Sequence, residues 1–121
     1  DLVLCDLKFA TEEEYFRHCR ADLTEVLYFM KLTEQMRLPL WVRHVVVPGL
    51  NDGPESLRRI VKTAGLFSNL QRLELLPFKK LCVSKYEALG IPFPFADYEE
   101  CPDSKIDELN QLMERFRNDL L

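Results

Sequence analysis

Three polar side chains, Asp6, Lys8 and Arg43, interrupt segments of the chain that are otherwise apolar. Asp6 and Lys8 lie at the end of DLVLCDLK, and Arg43 lies inside LWVRHVVV. A carboxylate accepts hydrogen bonds from cations or hydroxyls, an ammonium group offers a point charge, and a guanidinium group can bind a carboxylate with two parallel hydrogen bonds. If the three side chains point to the same face of a sheet, they suit a small zwitterionic ligand.

A structural ion pair between adjacent strands explains the same three residues equally well. His44 has the opposite parity to Arg43, because side chains alternate along a strand, and we expect it under a helix with its hydrogen bonds satisfied. Lys79 and Lys80 follow a third apolar segment, LQRLELLPF. They are solvated lysines in one interpretation and site residues in the other, since ligands in this class of fold bind at the carboxyl ends of strands.

Composition limits the classes of protein that the chain can represent. It has 121 residues, a net charge of −4 and a pI of about 5.2, which disfavours a nucleic-acid binder. Its 47% hydrophobic content supports one domain with a core, and no apolar run approaches the roughly 18 residues of a membrane span. No signal peptide is visible, so we expect a cytoplasmic protein without membrane association.

Two further features concern the chain ends and the cysteines. The first residues already resemble a strand and contain no Met, so we expect the chain to be a piece of a longer protein. None of the four cysteines forms a Cys-x2-Cys pair, which predicts reduced thiols that pack as small hydrophobes and no metal site; they are Cys5, Cys19, Cys82 and Cys101.

The apolar segments alternate with helical patterns. Strands are predicted at 1–8, 40–47 and 70–78, with helices near 11–20 and 22–37, from Pro54 onwards, and over about 104–121. This alternation predicts an α/β fold with three parallel strands in βαβ units and helices on one face. The opposite face would be bare and would expose Trp41, Val45 and Val47.

Individual residues mark the helix boundaries. Thr11 and Glu14 form a Thr-x-x-Glu capping box, and Pro54 suits the first turn of a helix. Asp52 is expected to cap that helix, and His18 is expected to be solvated on a charged helix.

We divide the single domain of residues 1–121 into a βαβαβ core at 1–76, a long connection at 77–102 and a terminal helix at 103–121. The connection holds a short helical pattern that ends at Gly90, and its four prolines and several aromatic residues favour an ordered loop packed over another part of the molecule.

These segments resemble a known family in their order and spacing. DLVLCDLK, LPLWVRHVVVPGLND, LQRLELLPF and KYEALGIPFPF are similar to the carboxyl-terminal half of the pyruvate formate-lyase activating enzymes, which belong to the radical S-adenosylmethionine (SAM) superfamily. The resemblance covers nearly the whole chain. It implies that the chain supplies the last three strands of an incomplete (β/α)6 barrel.

The resemblance also implies roles for single residues. Lys8 and Arg43 match family residues that contact SAM, and Asp6 matches a carboxylate near the SAM carboxylate at a monovalent-cation site. Lys79 stands where the family commonly has a His against the SAM nucleoside. The family motifs Cys-x3-Cys-x2-Cys and Gly-Gly-Glu are not found in the sequence, so the chain alone is expected to hold no iron–sulfur cluster and to be inactive.

For the parent protein, the resemblance implies an oxidoreductase-type activating enzyme. A reduced 4Fe-4S cluster would cleave SAM, and the resulting 5′-deoxyadenosyl radical would take a hydrogen from a glycine of a partner. That partner would be pyruvate formate-lyase or a related glycyl-radical enzyme, with flavodoxin or ferredoxin as electron donor. The alternatives to this interpretation are another radical SAM enzyme and a non-catalytic α/β binding module.

Overall fold

Three parallel strands form the sheet of the computed structural model, which describes residues 1–120. Strand β1 spans Val3–Asp6, β2 spans Leu40–Val46 and β3 spans Leu70–Pro77, and they lie in the order β1-β2-β3. β2 pairs with both neighbours in parallel. The predicted α/β class with three parallel strands is therefore confirmed.

Five helices connect and flank the strands. In chain order they are α1 (Glu12–Cys19), α2 (Leu23–Gln35), α3 (Pro54–Ala64), α4 (Val83–Leu89) and α5 (Asp103–Leu120). The predicted end of the last helix at residue 121 lies outside the described residues. None of the helices in the part of the chain that the structure describes is long and apolar enough to cross a membrane.

Two helix starts follow the predicted capping chemistry. The Glu14 backbone N–H donates to Thr11 Oγ1 at 3.2 Å, and the Thr11 hydroxyl donates to Glu14 Oε1 at 2.8 Å. Pro54 is the first residue of α3, as predicted.

The prediction that Asp52 caps α3 is wrong: Gly53 caps this helix, and the Asp52 carboxylate accepts from the Gly49 N–H at 3.1 Å. The reason is that Gly49 turns the chain at φ +83°, which brings its N–H to Asp52.

One face of the sheet carries the core. Alternate residues of the strands are buried there beneath the helices, namely Cys5, Val42, His44, Val46, Leu73 and Leu75. Helices α3 and α5 pack on each other and on β3, while α2 packs on β2. The helices therefore lie on one face of the sheet, as the βαβ pattern predicts.

The long connection after β3 is ordered and folds back over the carboxyl ends of the strands. Phe78 is buried and donates its N–H to the Val46 carbonyl at 3.0 Å, and its own carbonyl accepts from the Cys101 N–H at 3.0 Å. Phe93 and Phe95 pack against the core and lie 6.2 Å and 6.1 Å from the Phe78 ring.

This loop also changes the surroundings of α1. The prediction that His18 is solvated is wrong, because its ring is half-buried and stacks on Phe9 at 5.0 Å. The Phe95 ring lies 6.2 Å from it on the loop side. His18 thus helps to join α1 to the aromatic loop.

Candidate functional site

The candidate site lies on the face of the sheet that no helix covers. Strand register places Asp6, Arg43 and Glu74 at one level of three neighbouring strands, with Arg43 in the middle. Leu4, Trp41 and Arg72 form the neighbouring row, nearer the amino ends of the strands. A face of a parallel sheet that carries charged side chains departs from the apolar pattern of a sheet buried on both sides.

Asp6 and Arg43 are brought together as an ion pair. Arg43 Nε donates to Asp6 Oδ1 at 2.9 Å, and the Arg43 side chain is 39% exposed while that of Asp6 is 46% exposed. Among residues 1–120, the guanidinium makes no other ion pair or hydrogen bond. Its remaining N–H groups therefore face solvent and can donate to a ligand while Asp6 holds the group in place.

Lys8 does not join this pair. Strand β1 ends at Asp6, so the alternation of side chains stops before Lys8. Its side chain is exposed and forms no ion pair within residues 1–120. Burial raises the pKa of the Cys19 thiol on α1, and the positive charge of Lys8 opposes that shift.

Lys79 and Lys80 both contact the long loop. Lys79 Nζ donates to the Cys101 carbonyl at 3.5 Å, and Lys80 Nζ donates to the Ala96 carbonyl at 3.0 Å. The Lys80 backbone N–H also donates to Glu100 Oε2 at 2.7 Å. In this arrangement the two lysines tie the loop to the end of β3, and a ligand role for Lys79 stays a prediction.

Sequence reasoning missed two charged residues of the bare face, Arg72 and Glu74. Glu74 lies beside Arg43 in the register, and its carboxylate is 3.7 Å from Arg72 Nε. The Arg72 guanidinium lies over the Trp41 ring at 5.2 Å, and Trp41 Nε1 donates to Gln71 Oε1 at 3.3 Å. The alternation of polar and apolar residues in LQRLELLP carried a signal for Arg72 and Glu74, but the pairing register was needed to place them beside Arg43.

The apolar part of the bare face also differs from its prediction. Trp41 and Val45 are half-buried there, but Val47 is buried, so its predicted exposure is wrong. Strand β2 ends at Val46, and the Val47 N–H donates to Asn51 Oδ1 in the following turn at 2.7 Å. Leu4, which the prediction omitted, is 51% exposed.

His44 lies on the covered face, as its parity predicts. It is 1% exposed, and its Nδ1 lies 2.8 Å from the Leu7 carbonyl oxygen. Because a carbonyl can only accept, Nδ1 carries the proton. Nε2 has no hydrogen-bond partner within residues 1–120, so the prediction of a fully satisfied imidazole is wrong at that atom. Burial lowers the pKa of His44, so the ring is neutral near pH 7.

The cysteines are all free thiols in the structure. Burial raises the pKa of Cys5 and Cys101, which keeps both thiols protonated. Within residues 1–120, no group of three or more His, Cys, Asp and Glu side chains is placed to hold a metal ion.

Comparison with known proteins supports the sequence resemblance. The chain is 32% identical over 108 residues to the pyruvate formate-lyase-activating enzyme of Staphylococcus epidermidis, an alignment that covers 89% of this chain and 43% of that protein. It is 31% identical over 106 residues to the enzyme of the same name from Staphylococcus aureus strain USA300, covering 88% and 42%. The chain resembles the pyruvate formate-lyase-activating enzymes. No family model matches it.

A solved structure supports the fold independently of the sequence. The chain superposes on a crystal structure of a domain of pyruvate-formate lyase-activating enzyme from Bacteroides vulgatus with a TM-score of 0.70, covering 95% of this chain and 62% of that one. The sequence identity is 15%, so this likeness shows the α/β fold alone. The chain spans about two fifths of the length of the activating enzymes that it matches in sequence.

Proposed function

We propose that the chain is the carboxyl-terminal half of a radical SAM activating enzyme. The parent protein would generate a glycyl radical on pyruvate formate-lyase or a related enzyme in the cytoplasm. One observation carries the proposal: Arg43 presents free guanidinium N–H groups on the uncovered face of the sheet. The relatives of the chain in sequence are named as pyruvate formate-lyase-activating enzymes.

The residues on this face fit SAM. The methionine part of SAM carries a carboxylate, which matches the planar guanidinium of Arg43, and its cationic groups match the carboxylates of Asp6 and Glu74, which flank Arg43 in the register. The Lys8 ammonium has no ion-pair partner within residues 1–120 and can turn to a ligand carboxylate. Neither Arg43 nor Lys8 would have to leave a buried partner in order to bind the ligand.

SAM together with a 4Fe-4S cluster supplies the radical chemistry when both are bound. The described residues offer no ligand set for the cluster, and we propose that other residues of the parent protein supply its ligands. The residues of this chain then bind and orient. Asp6 fixes the Arg43 plane, Arg43 orients the ligand carboxylate, and Lys8 supplies a second positive charge.

The loop after β3 would close the same end of the sheet. Lys79 lies at that end and would donate to a ribose hydroxyl of the ligand. The aromatic residues Phe93 and Phe95, which pack over the strand ends, would exclude water and meet the glycine-bearing loop of the partner. An electron donor such as flavodoxin or ferredoxin belongs to the same proposal.

The test is radical formation on the partner. The intact protein, loaded with cluster and reductant, is mixed with SAM and pyruvate formate-lyase, and the glycyl radical is measured by electron paramagnetic resonance. We expect wild type to give the signal and Arg43→Met to reduce it strongly. Arg59→Met is the matched control, because Arg59 is an exposed arginine on α3, away from the bare face. No signal from wild type would contradict the proposal.

The second candidate is another radical SAM enzyme. Lys79 favours it, because the residue differs from the His that the resemblance leads us to expect. Wild type that binds SAM but leaves pyruvate formate-lyase without a radical would support this candidate. Wild type that does not bind SAM would support a non-catalytic binding module that uses the bare face, with its exposed Leu4, to contact a partner.

A further inference from the structure

Both ends of one peptide group are held by buried side chains at the point where β1 ends. The peptide group that joins Leu7 to Lys8 contains the Leu7 carbonyl and the Lys8 N–H. His44 Nδ1 lies 2.8 Å from the carbonyl oxygen and donates to it, and the Lys8 N–H donates to the Tyr15 hydroxyl oxygen at 3.1 Å. The two side chains come from different elements, β2 and α1.

The side chains of His44 and Tyr15, which together form a clamp on this peptide group, are themselves fixed. His44 is 1% exposed and Tyr15 is 4% exposed, so neither side chain can move to solvent without opening the core. The Tyr15 ring packs edge-on against Phe9 at 6.1 Å. Burial raises the pKa of Tyr15 and lowers the pKa of His44, so both groups are neutral near pH 7 and keep the roles described.

The sheet itself does not hold this peptide group. The Leu7 N–H, one peptide earlier, donates to the Arg43 carbonyl at 2.9 Å and continues the ladder with β2. Strand β1 has ended at Asp6, so the next peptide group would be free to turn without His44 and Tyr15. The direction of the Lys8 side chain from the backbone depends on the orientation of that peptide plane.

We propose that His44 and Tyr15 are positioning residues that fix the Leu7–Lys8 peptide plane and so set the backbone position from which the exposed Lys8 side chain reaches the SAM carboxylate. The inference rests on the proposed function and adds to it two residues that touch no ligand. Arg43 and His44 are consecutive in β2. Arg43 would contact the ligand on the bare face, and His44 would support the Lys8 contact from the covered face.

The test compares four variants of the intact protein by equilibrium dialysis with SAM and by hydrogen exchange of the Lys8 amide. Tyr15→Phe removes the acceptor of the Lys8 N–H, and His44→Phe removes the donor to Leu7. Thr33→Val is the control, since Thr33 is 3% exposed and accepts from Asn69 Nδ2 at 2.9 Å beside the amino end of β3.

We expect Tyr15→Phe and His44→Phe each to weaken SAM binding about tenfold, because a misdirected contact loses its strength without any loss of charge. Tyr15→Phe should also speed exchange of the Lys8 amide about tenfold, the effect of losing one hydrogen bond. Thr33→Val should lower the melting temperature but leave both quantities at their wild-type values. His44→Asn, which restores a donor near the Nδ1 position, should recover part of the affinity relative to His44→Phe.

Two results would overturn the inference and they are distinguishable. If wild type binds SAM and Tyr15→Phe binds it equally well while Lys8 exchange accelerates, the clamp holds the backbone but does not position the ligand contact. If Thr33→Val weakens SAM binding as much as Tyr15→Phe, the loss reflects stability alone. A wild-type protein that fails to bind SAM would instead overturn the proposed function. His44→Phe need not fold for this test, since Tyr15→Phe decides it.

Discussion

The two faces of the sheet are built from the same three strands and have opposite characters. On the covered face, Val42 and Leu75 are almost completely buried beneath the helices. On the bare face, the side chains of Asp6 and Arg43 are close to half exposed and pair with each other across two strands. Because side chains alternate along each strand, one residue packs in the core and its neighbour in the sequence is free to contact a ligand.

A parallel strand can carry a charged residue where the face that its side chain occupies is open to solvent. A strand buried on both faces has no position for a guanidinium, because an unpaired buried charge costs several kcal/mol of folding free energy. Arg43 is tolerated because its face of the sheet is open. His44, its neighbour, is tolerated on the covered face because it is neutral and donates to a backbone carbonyl.

The largest expected effect is a truncation on the covered face. Leu75→Ala should lower the free energy of unfolding by about 3 kcal/mol, because it removes a buried side chain and leaves a cavity. Urea denaturation followed by circular dichroism measures this change. A loss below about 1 kcal/mol would mean that the covered face is not the core.

The aromatic loop packs over the ends of the strands, where the two faces of the sheet meet. Phe93→Ala combined with Phe95→Ala should abolish most activation of the partner while SAM affinity stays within about twofold of wild type. Glycyl-radical formation and SAM dialysis on the same preparation separate the two effects. Unchanged partner activation would remove the loop from the proposed interface.

Between pH 7.5 and pH 5, the pH dependence of stability should come from the covered face. Burial lowers the pKa of His44 below its ordinary value of 6.5, so the unfolded chain binds a proton more readily than the folded one. The resulting contribution to stability is complete above about pH 6.5 and is lost as the pH falls towards the lower pKa of the folded state. The hydrogen bond to the Leu7 carbonyl and the Glu14 carboxylate oppose the shift but do not reverse it.

Chemical denaturation of wild type and His44→Phe between pH 7.5 and pH 5 measures this contribution. We expect the stability of wild type to fall more steeply on acidification than that of the variant. Parallel curves would show that the imidazole is not held neutral by the fold.

The smallest expected effect is on the bare face. Asp6→Asn and Arg43→Met should each change the free energy of unfolding by less than about 1 kcal/mol, because a half-exposed ion pair is screened by water. Urea denaturation of both variants beside Leu75→Ala tests the contrast directly. A loss comparable with that of Leu75→Ala would mean that the pair is structural, as the alternative interpretation of the sequence holds.

Local patterns predicted much of the fold. Thr11 with Glu14 and the position of Pro54 are short-range signals, because their partners lie within one helical turn. The parity of Arg43 and His44 placed them correctly on opposite faces, since alternation along a strand depends only on the strand itself.

Residues beyond the strand ends were harder to predict. Lys8 and Val47 each lie beyond the last residue of a strand, where alternation no longer decides the direction of a side chain. His18 depends on Phe95, which is distant in sequence and reaches it only when the long loop folds back. Glu74 required the pairing register of β2 and β3, which no short segment encodes.

Isothermal titration of SAM into the intact protein and its Arg43→Met and Arg59→Met variants tests directly whether the bare face binds SAM. The account predicts that wild type and Arg59→Met bind SAM with the same affinity and that Arg43→Met binds at least about tenfold more weakly, the loss of one charge-assisted contact. Equal binding by all three proteins would contradict the assignment of the bare face as the SAM-binding surface.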